Sequence, residues 1–165
     1  LSRKQPSRLS RDLNRFFHTN LVKTEMFITM FYLKYYPQSR EIAYSNAGHN
    51  LPLIWKSRRQ EFQVLDAEGL ILGIKPEVEY EEKTERLEPG DMLVLYTDGI
   101  TEARNQMGDF FGEQRLCSLI REQSSAHPHE VIDHLLNQLQ LFTGSENFKD
   151  DISMVVMRIE GESDT

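Results

Sequence analysis

Met92-Leu93-Val94-Leu95-Tyr96-Thr97-Asp98-Gly99 decides how the rest of this chain is read. Its apolar run follows the turn sequence Glu88-Pro89-Gly90-Asp91, and a run of that length and composition predicts a buried strand over Met92–Tyr96. Gly99 lets the backbone turn sharply directly after it. The strand therefore delivers a carboxylate, Asp98, at its C-terminal end. Two readings stand for that residue. A rigid strand end is a common place for a metal ligand, because the oxygen is held while the following loop leaves coordination positions open. Alternatively, Asp98 is a turn aspartate that caps its own backbone.

Downstream, two helices are expected over about Glu113–Glu122, with Leu116, Leu119 and Ile120 inward, and from Pro128 to a stop near Gly144. Between Gly99 and the first of them, Ile100–Gly112 has little periodicity and reads as a loop or flap. A last strand is predicted over Ile152–Ile159. Lys149-Asp150-Asp151-Ile152-Ser153 leads into it, and adjacent carboxylates there repel each other unless a cation or donors compensate them. In an extended segment at most one of the two can face a given metal. Asp98 and Asp150 lie far apart in sequence, so they converge only if their strands are neighbours or face each other across a sandwich. Carboxylate oxygens suit Mg²⁺ or Mn²⁺ rather than Zn²⁺.

Upstream of Met92, Pro6–Leu21 has helical spacing with Leu9, Leu13, Phe16 and Phe17 on one face. Met26–Tyr36 reads as a strand buried on both faces, turning at Pro37-Gln38-Ser39-Arg40 into Glu41–Asn46. A second hairpin is expected from Leu51–Trp55 and Glu61–Leu65 across Ser57-Arg58-Arg59-Gln60. Asp66–Lys75, with Gly69 and Gly73, predicts a loop packed on the body of the protein. Val78, Tyr80 and Glu82 alternate with charged residues as an exposed or edge strand would. The order is helix, antiparallel strands, two helices and a closing strand. That order predicts an α+β fold with helices packed on antiparallel sheets, and a single domain over 1–165.

Ser45-Asn46-Ala47-Gly48-His49-Asn50 joins two of these strands. It can present His49 as a general acid, or Asn46 and His49 as donors to a substrate. The favoured reading is structural, with unusual backbone angles at Asn46 and Gly48 and His49 bonded to backbone. His127 and His129 read as an exposed pair at a helix start, and Cys117, beside Leu116 and Leu119, as a core thiol. No HExxH, CxxC, P-loop, GxGxxG or GxSxG pattern is present.

Composition narrows the class further. A net charge of −7 over 165 residues argues against a general nucleic-acid binder. No apolar run reaches the roughly 18 residues that a membrane helix needs. Leu1–Arg15 does not read as a signal peptide, and the one cysteine excludes an intrachain disulfide, which favours the cytoplasm. Charge is uneven: Arg3, Lys4, Arg8, Arg11 and Arg15 make the start basic, while Glu77–Glu88 is acidic. Both runs read as solvated surface.

Taken in order, Met26-Phe27-Ile28-Thr29-Met30-Phe31, Tyr44–Pro52, Leu87–Asp91, Leu95–Ala103 and Asp150-Asp151-Ile152-Ser153 resemble the bacterial PP2C-like phosphatases of the PPM superfamily, in particular the SpoIIE/RsbU branch. The resemblance covers about Pro6 to Ile159. It implies an α-β-β-α sandwich whose cleft binds two Mn²⁺ or Mg²⁺ ions, and a metal-activated water that attacks phosphoserine or phosphothreonine. On it, Asp98 and Asp150 match two metal-binding aspartates, Asp151 and Gly99 flank them without binding the ions, and the Asn46–His49 segment matches a signature of unassigned role. The implied substrate is a phosphorylated anti-sigma-factor antagonist of the STAS type, with an upstream sensor or receiver domain and a homodimer among the partners. The family's N-terminal strands and Gly-Asp motif (resembling GDVSGHG), which supplies a bridging aspartate, have no match here. The expectation is a chain cut inside the phosphatase domain and weakly active or inactive alone. The other class that this departure allows is a pseudophosphatase or protein-binding module without hydrolysis.

Overall fold

The computed structural model describes residues 5–21, 27–145 and 148–161. Arg3, Lys4, Met26 and all but the first residue of Gly161–Thr165, which reads in sequence as a frayed end, lie outside them. In chain order the elements are α1 (Pro6–Leu21), β1 (Met30–Tyr36), β2 (Glu41–Ala47), β3 (Leu53–Lys56), β4 (Glu61–Val64), β5 (Lys83–Arg86), β6 (Met92–Tyr96), α2 (Asp98–Thr101), α3 (Gly112–Glu122), α4 (Pro128–Thr143) and β7 (Met154–Arg158). They form two antiparallel sheets with flanking helices, the expected α+β class. No helix among the described residues is long and apolar enough to cross a membrane. The chain falls into two compact units, Leu1–Leu51 with Leu65–Leu87 and Pro52–Val64 with Glu88–Thr165.

The first unit carries α1 and a three-stranded sheet in the order β1-β2-β5. The hairpin β1–β2 pairs Met30 with Ala47 through to Tyr36 with Glu41. β2, in the middle, is buried from Ile42 to Ala47, whereas β1 is half-buried along its whole length. The expected strand over Met26–Tyr36, buried on both faces, is instead β1 from Met30, half-buried and paired with β2 alone among the described residues. Ile28 makes an isolated bridge to Leu72, and Phe27 is exposed. On α1, Leu13 and Phe17 pack against a core of Ala47, Leu72 and Tyr80. Phe16 is instead 61% exposed and meets Phe17 edge to face, since consecutive helical residues point about 100° apart and the core accepts one of them. The expected edge strand at Val78–Glu82 is also displaced: the strand is β5, paired with β2. Tyr80 is buried, which pushes its hydroxyl pKa up to about 12, and the Glu81 N–H bonds the Glu68 carbonyl.

The second unit carries a four-stranded sheet, β4-β3-β6-β7. Its core joins Leu53, Trp55, Met92, Val94 and Tyr96 from the strands to Leu116, Ile120, Val131, Leu135 and Leu139 from α3 and α4. A capping box opens α4: His127 accepts from the His129 N–H while the Glu130 carboxylate accepts from the His127 N–H. Gly144 closes it at φ 67°, in the left-handed region that glycine enters at little cost. The turn Glu88–Asp91 holds a feature that local sequence did not reveal. The buried Asp91 carboxylate accepts from the Ser57 and Glu88 N–H groups, each at 3.0 Å, and pairs with the buried Lys56 ammonium at 3.2 Å.

Candidate functional site

β6 and β7 are antiparallel neighbours, with Tyr96 opposite Met154. This meets the condition for Asp98 and Asp150 to converge: the end of β6 and the approach to β7 lie side by side. Asp98 opens the single-turn α2 and is exposed. Thr97, in the capping position, makes no side-chain cap, and the Asp98 carboxylate has no hydrogen bond or ion pair to any described residue. The self-capping turn aspartate is thus absent at Asp98. Asp150 behaves differently, because its Oδ1 accepts from the Asp151 N–H at 2.8 Å. Both aspartates precede β7 in an irregular stretch, so the strand alternation invoked for them does not apply. Asp151 is exposed like Asp98 and Asp150.

Thr97 ties the two segments together. Its N–H donates to the Ser153 carbonyl at 3.1 Å, its Oγ1 donates to the Asp151 carbonyl at 3.2 Å, and the same Oγ1 accepts from the Ser153 N–H at 3.0 Å. Gly99 is tightly enclosed by the same segment: a Cβ there would collide with the Asp151 carbonyl oxygen. Sequence singled out Thr97 only as part of its motif and gave it no task; a hydroxyl residue beside a strand-end carboxylate was the available signal.

Beside this junction is a cavity of about 250 Å³, whose wall includes Gly99, Glu102, Arg104, Phe148, Lys149 and Asp150. The stretch expected to be an aperiodic loop is well bonded. After α2, Arg104 bridges to Phe110 and its guanidinium lies 4.1 Å from that ring, while Asn105 Oδ1 accepts from the Met107 and Asp109 N–H groups.

The Asn46–His49 segment lies in the first unit. Asn46 is buried, its Oδ1 accepting from the His49 N–H at 2.8 Å and its Nδ2 donating to the His49 carbonyl at 3.1 Å. Gly48 takes φ 69°, but Asn46 is ordinary strand within β2 and not the unusual backbone expected of it, and His49 Nδ1 lies 3.0 Å from the Thr29 hydroxyl rather than on backbone. His127 and His129 are exposed, as expected. Cys117 is half-buried, and burial pushes its thiol pKa up, away from nucleophilic character.

The donors of the β6–β7 junction suit a hard divalent cation in type, since they are carboxylate oxygens free to face solvent. They fall short in number. Among the described residues no group of three or more His, Cys, Asp or Glu side chains stands close enough to hold a metal ion. These residues therefore fit as part of a ligand set.

Solved structures define the class of fold. The SiaA-PP2C domain of Pseudomonas aeruginosa superposes with a TM-score of 0.81 over 95% of this chain and 62% of its own, at 19% identity. The phosphatase domain of the cell fate determinant SpoIIE from Bacillus subtilis, presoaked with Mn, gives 0.61 over 89% of this chain and 62% of its own, at 21% identity. The fold is that of the PP2C-like proteins. Within that class the chain belongs to the SpoIIE family, Stage II sporulation protein E, whose model matches residues 1–160. Among curated relatives, the phosphoserine phosphatase RsbU of Bacillus subtilis is 35% identical over 153 residues, and Protein IcfG of Synechocystis is 33% identical over 133. The alignments take in 93% and 80% of this chain but only 45% and 20% of those relatives, so the chain spans less than half their length.

Proposed function

We propose that this chain carries part of the active site of a PP2C-type protein phosphatase, both units belonging to one catalytic domain. The reaction is hydrolysis of phosphoserine or phosphothreonine on a protein. The substrate is a phosphorylated anti-sigma-factor antagonist of the STAS type or a similar regulator. Control comes from an upstream sensor or receiver domain, and the protein acts in the cytoplasm, as a homodimer. The observation that carries this reading is the meeting of the Asp98 and Asp150 segments at one end of β6 and β7, in a member of the SpoIIE family. The name of RsbU, a phosphoserine phosphatase, supports the reaction class.

In this reading Asp98 and Asp150 hold Mn²⁺ or Mg²⁺, with Asp151 and Gly99 flanking them. When bound, the ions raise the hydroxide fraction of a coordinated water near neutral pH and neutralise charge on the phosphoryl oxygens. Asp98 suits its task because its carboxylate has no partner to give up among the described residues. Asp150 exchanges or shares its bond from the Asp151 N–H. Arg104 and Lys149, in the cavity wall beside Asp150, add positive charge on the side a phosphorylated chain would approach. The absence of a three-ligand cluster among the described residues favours a second reading, a pseudophosphatase or binding module that recognises a partner without hydrolysis.

The deciding experiment follows phosphate release from a phosphorylated antagonist protein in Mn²⁺, using the intact protein and its Asp98→Ala and Asp150→Ala variants. Loss of turnover in both, with unfolding free energy changed by less than about 1 kcal/mol, supports the phosphatase reading. Severe unfolding of both would make the aspartates structural. No release from any phosphoserine protein by the unsubstituted protein would favour the binding module.

A further inference from the structure

Within the metal-dependent reading just given, we propose that Thr97 is a positioning residue: its hydroxyl locks the segment bearing Asp150 to the strand end bearing Asp98 and so sets the spacing of the two carboxylates. One hydroxyl offers a single donor and two acceptor positions, and Thr97 uses both functions on the same neighbour. It donates to the Asp151 carbonyl at 3.2 Å and accepts from the Ser153 N–H at 3.0 Å. Its own N–H adds the third bond, to the Ser153 carbonyl at 3.1 Å.

The location matters because regular pairing stops there. The β6–β7 ladder ends at Tyr96 opposite Met154, so Asp98 and Asp150 both lie beyond the last ladder pair. Without a further tie, the approach to β7 would be free to splay from the start of α2. The Thr97 clamp carries the register past the end of the ladder. Gly99 completes it, because a side chain there would displace the Asp151 carbonyl that Thr97 holds. Neither residue offers a charge to an ion; their effect is on where the carboxylates stand.

Thr97→Val keeps the shape and removes both hydrogen-bond functions, while Thr97→Ser keeps both functions and loses only a methyl. In the intact protein, Thr97→Val is expected to raise the Mn²⁺ concentration for half-maximal phosphatase activity, and the Mn²⁺ dissociation constant by calorimetry, about tenfold or more. Turnover at saturating Mn²⁺ should fall by a smaller factor than the affinity, since the ligands themselves remain. Thr97→Ser should match the unsubstituted protein. A merely structural threonine would lower melting temperature without moving the Mn²⁺ midpoint.

A metal-free readout separates this idea from the phosphatase reading. The Ser153 amide should exchange slowly with solvent in the unsubstituted and serine proteins, and faster in the valine protein. Exchange at the rate of an exposed loop in the unsubstituted protein would overturn the clamp, even if the valine variant failed to fold. Unchanged Mn²⁺ affinity in the valine variant, or equal losses in valine and serine, would also overturn it. Slow Ser153 exchange lost only in valine, in a protein that neither binds Mn²⁺ nor releases phosphate, would uphold the clamp and sink the phosphatase reading instead.

Discussion

Helices α1 and α4 are both 16 residues long, and each buries a stripe at positions i, i+4 and i+8, yet the two stripes have opposite chemistry. In α4 the stripe is Val131, Leu135 and Leu139. In α1 it is Pro6 followed by the polar Ser10 and Asn14. The α4 stripe joins the core of the second unit by close packing. The α1 stripe is fastened by bonds: Ser10 Oγ donates to the Pro6 carbonyl and shares a hydroxyl–hydroxyl bond with Ser45 Oγ, and Asn14 receives the Gly73 N–H at 2.9 Å while donating to the Lys75 carbonyl at 2.8 Å. Farther out, Ser7 donates to Glu82, Arg11 pairs with Glu79, and Arg15 with Glu77. Helical spacing therefore tells which face is inward without telling what holds it. Apolar burial is non-directional and tolerates repacking, whereas a polar face specifies one seat and is costly when a partner is lost.

That contrast can be broken at several points. The largest effect is expected at the second unit's buried ion pair, which runs against its apolar character. Asp91→Ala removes the carboxylate from the buried Lys56 ammonium and two acceptors from the Ser57 and Glu88 N–H groups. It should cost about 3–5 kcal/mol in urea unfolding followed by the fluorescence of Trp55, the one tryptophan. A cost below about 1 kcal/mol would mean that packing alone holds the turn. Next comes Leu135→Ala, expected to cost roughly 3 kcal/mol through lost burial and the cavity left behind.

Asn14→Ala should cost less, about 2 kcal/mol, by leaving the Gly73 N–H and Lys75 carbonyl without their side-chain partner. If Asn14→Leu restored the loss, the polar seat of α1 would be interchangeable with an apolar one and the comparison would fail. The smallest effect belongs to the exposed pair. The hydrogen bond and charge of Arg15 hold the Glu77 carboxyl below its usual 4.5. A depressed folded value contributes stability that is present above the unfolded value and lost as pH falls through the folded one. Glu77→Gln should thus lower stability at pH 7 slightly and remove the same small amount from its decline below about pH 4.5. An unaltered slope there would show that the pair contributes nothing to seating α1.

Most of the architecture was legible where the signal is local. The bounds of α1, the two hairpins, the Pro128 start and Gly144 stop of α4, and the buried β6 all follow from periodicity and turn chemistry. What was misread had a common cause. Met26–Tyr36 is rich in β-branched and aromatic residues, but whether such a strand is central or at an edge depends on how many neighbours it finds. Phe16 and Phe17 are equivalent in sequence, and the core has room for one. Val78–Glu82 alternates as a strand would, yet Tyr80 is drawn into the core beside Leu72. The basic start and the acidic run at Glu77–Glu88, read as separate solvated surfaces, partly meet in the Arg11–Glu79 and Arg15–Glu77 pairs.

The candidate site divides in the same way. By itself the sequence determined the chemistry on offer: a carboxylate at a strand end with a glycine after it, a second carboxylate before a final strand, and oxygen donors suited to hard cations. Tertiary structure decided that β6 and β7 are neighbours, that Thr97 spans from one to the other, and that Asp91 is buried on Lys56 while Asp98 is left facing solvent. Propensity and periodicity act over a few residues, so they are written along the chain. Strand pairing and the burial of a charge depend on which distant segments meet, and only the folded chain brings those together.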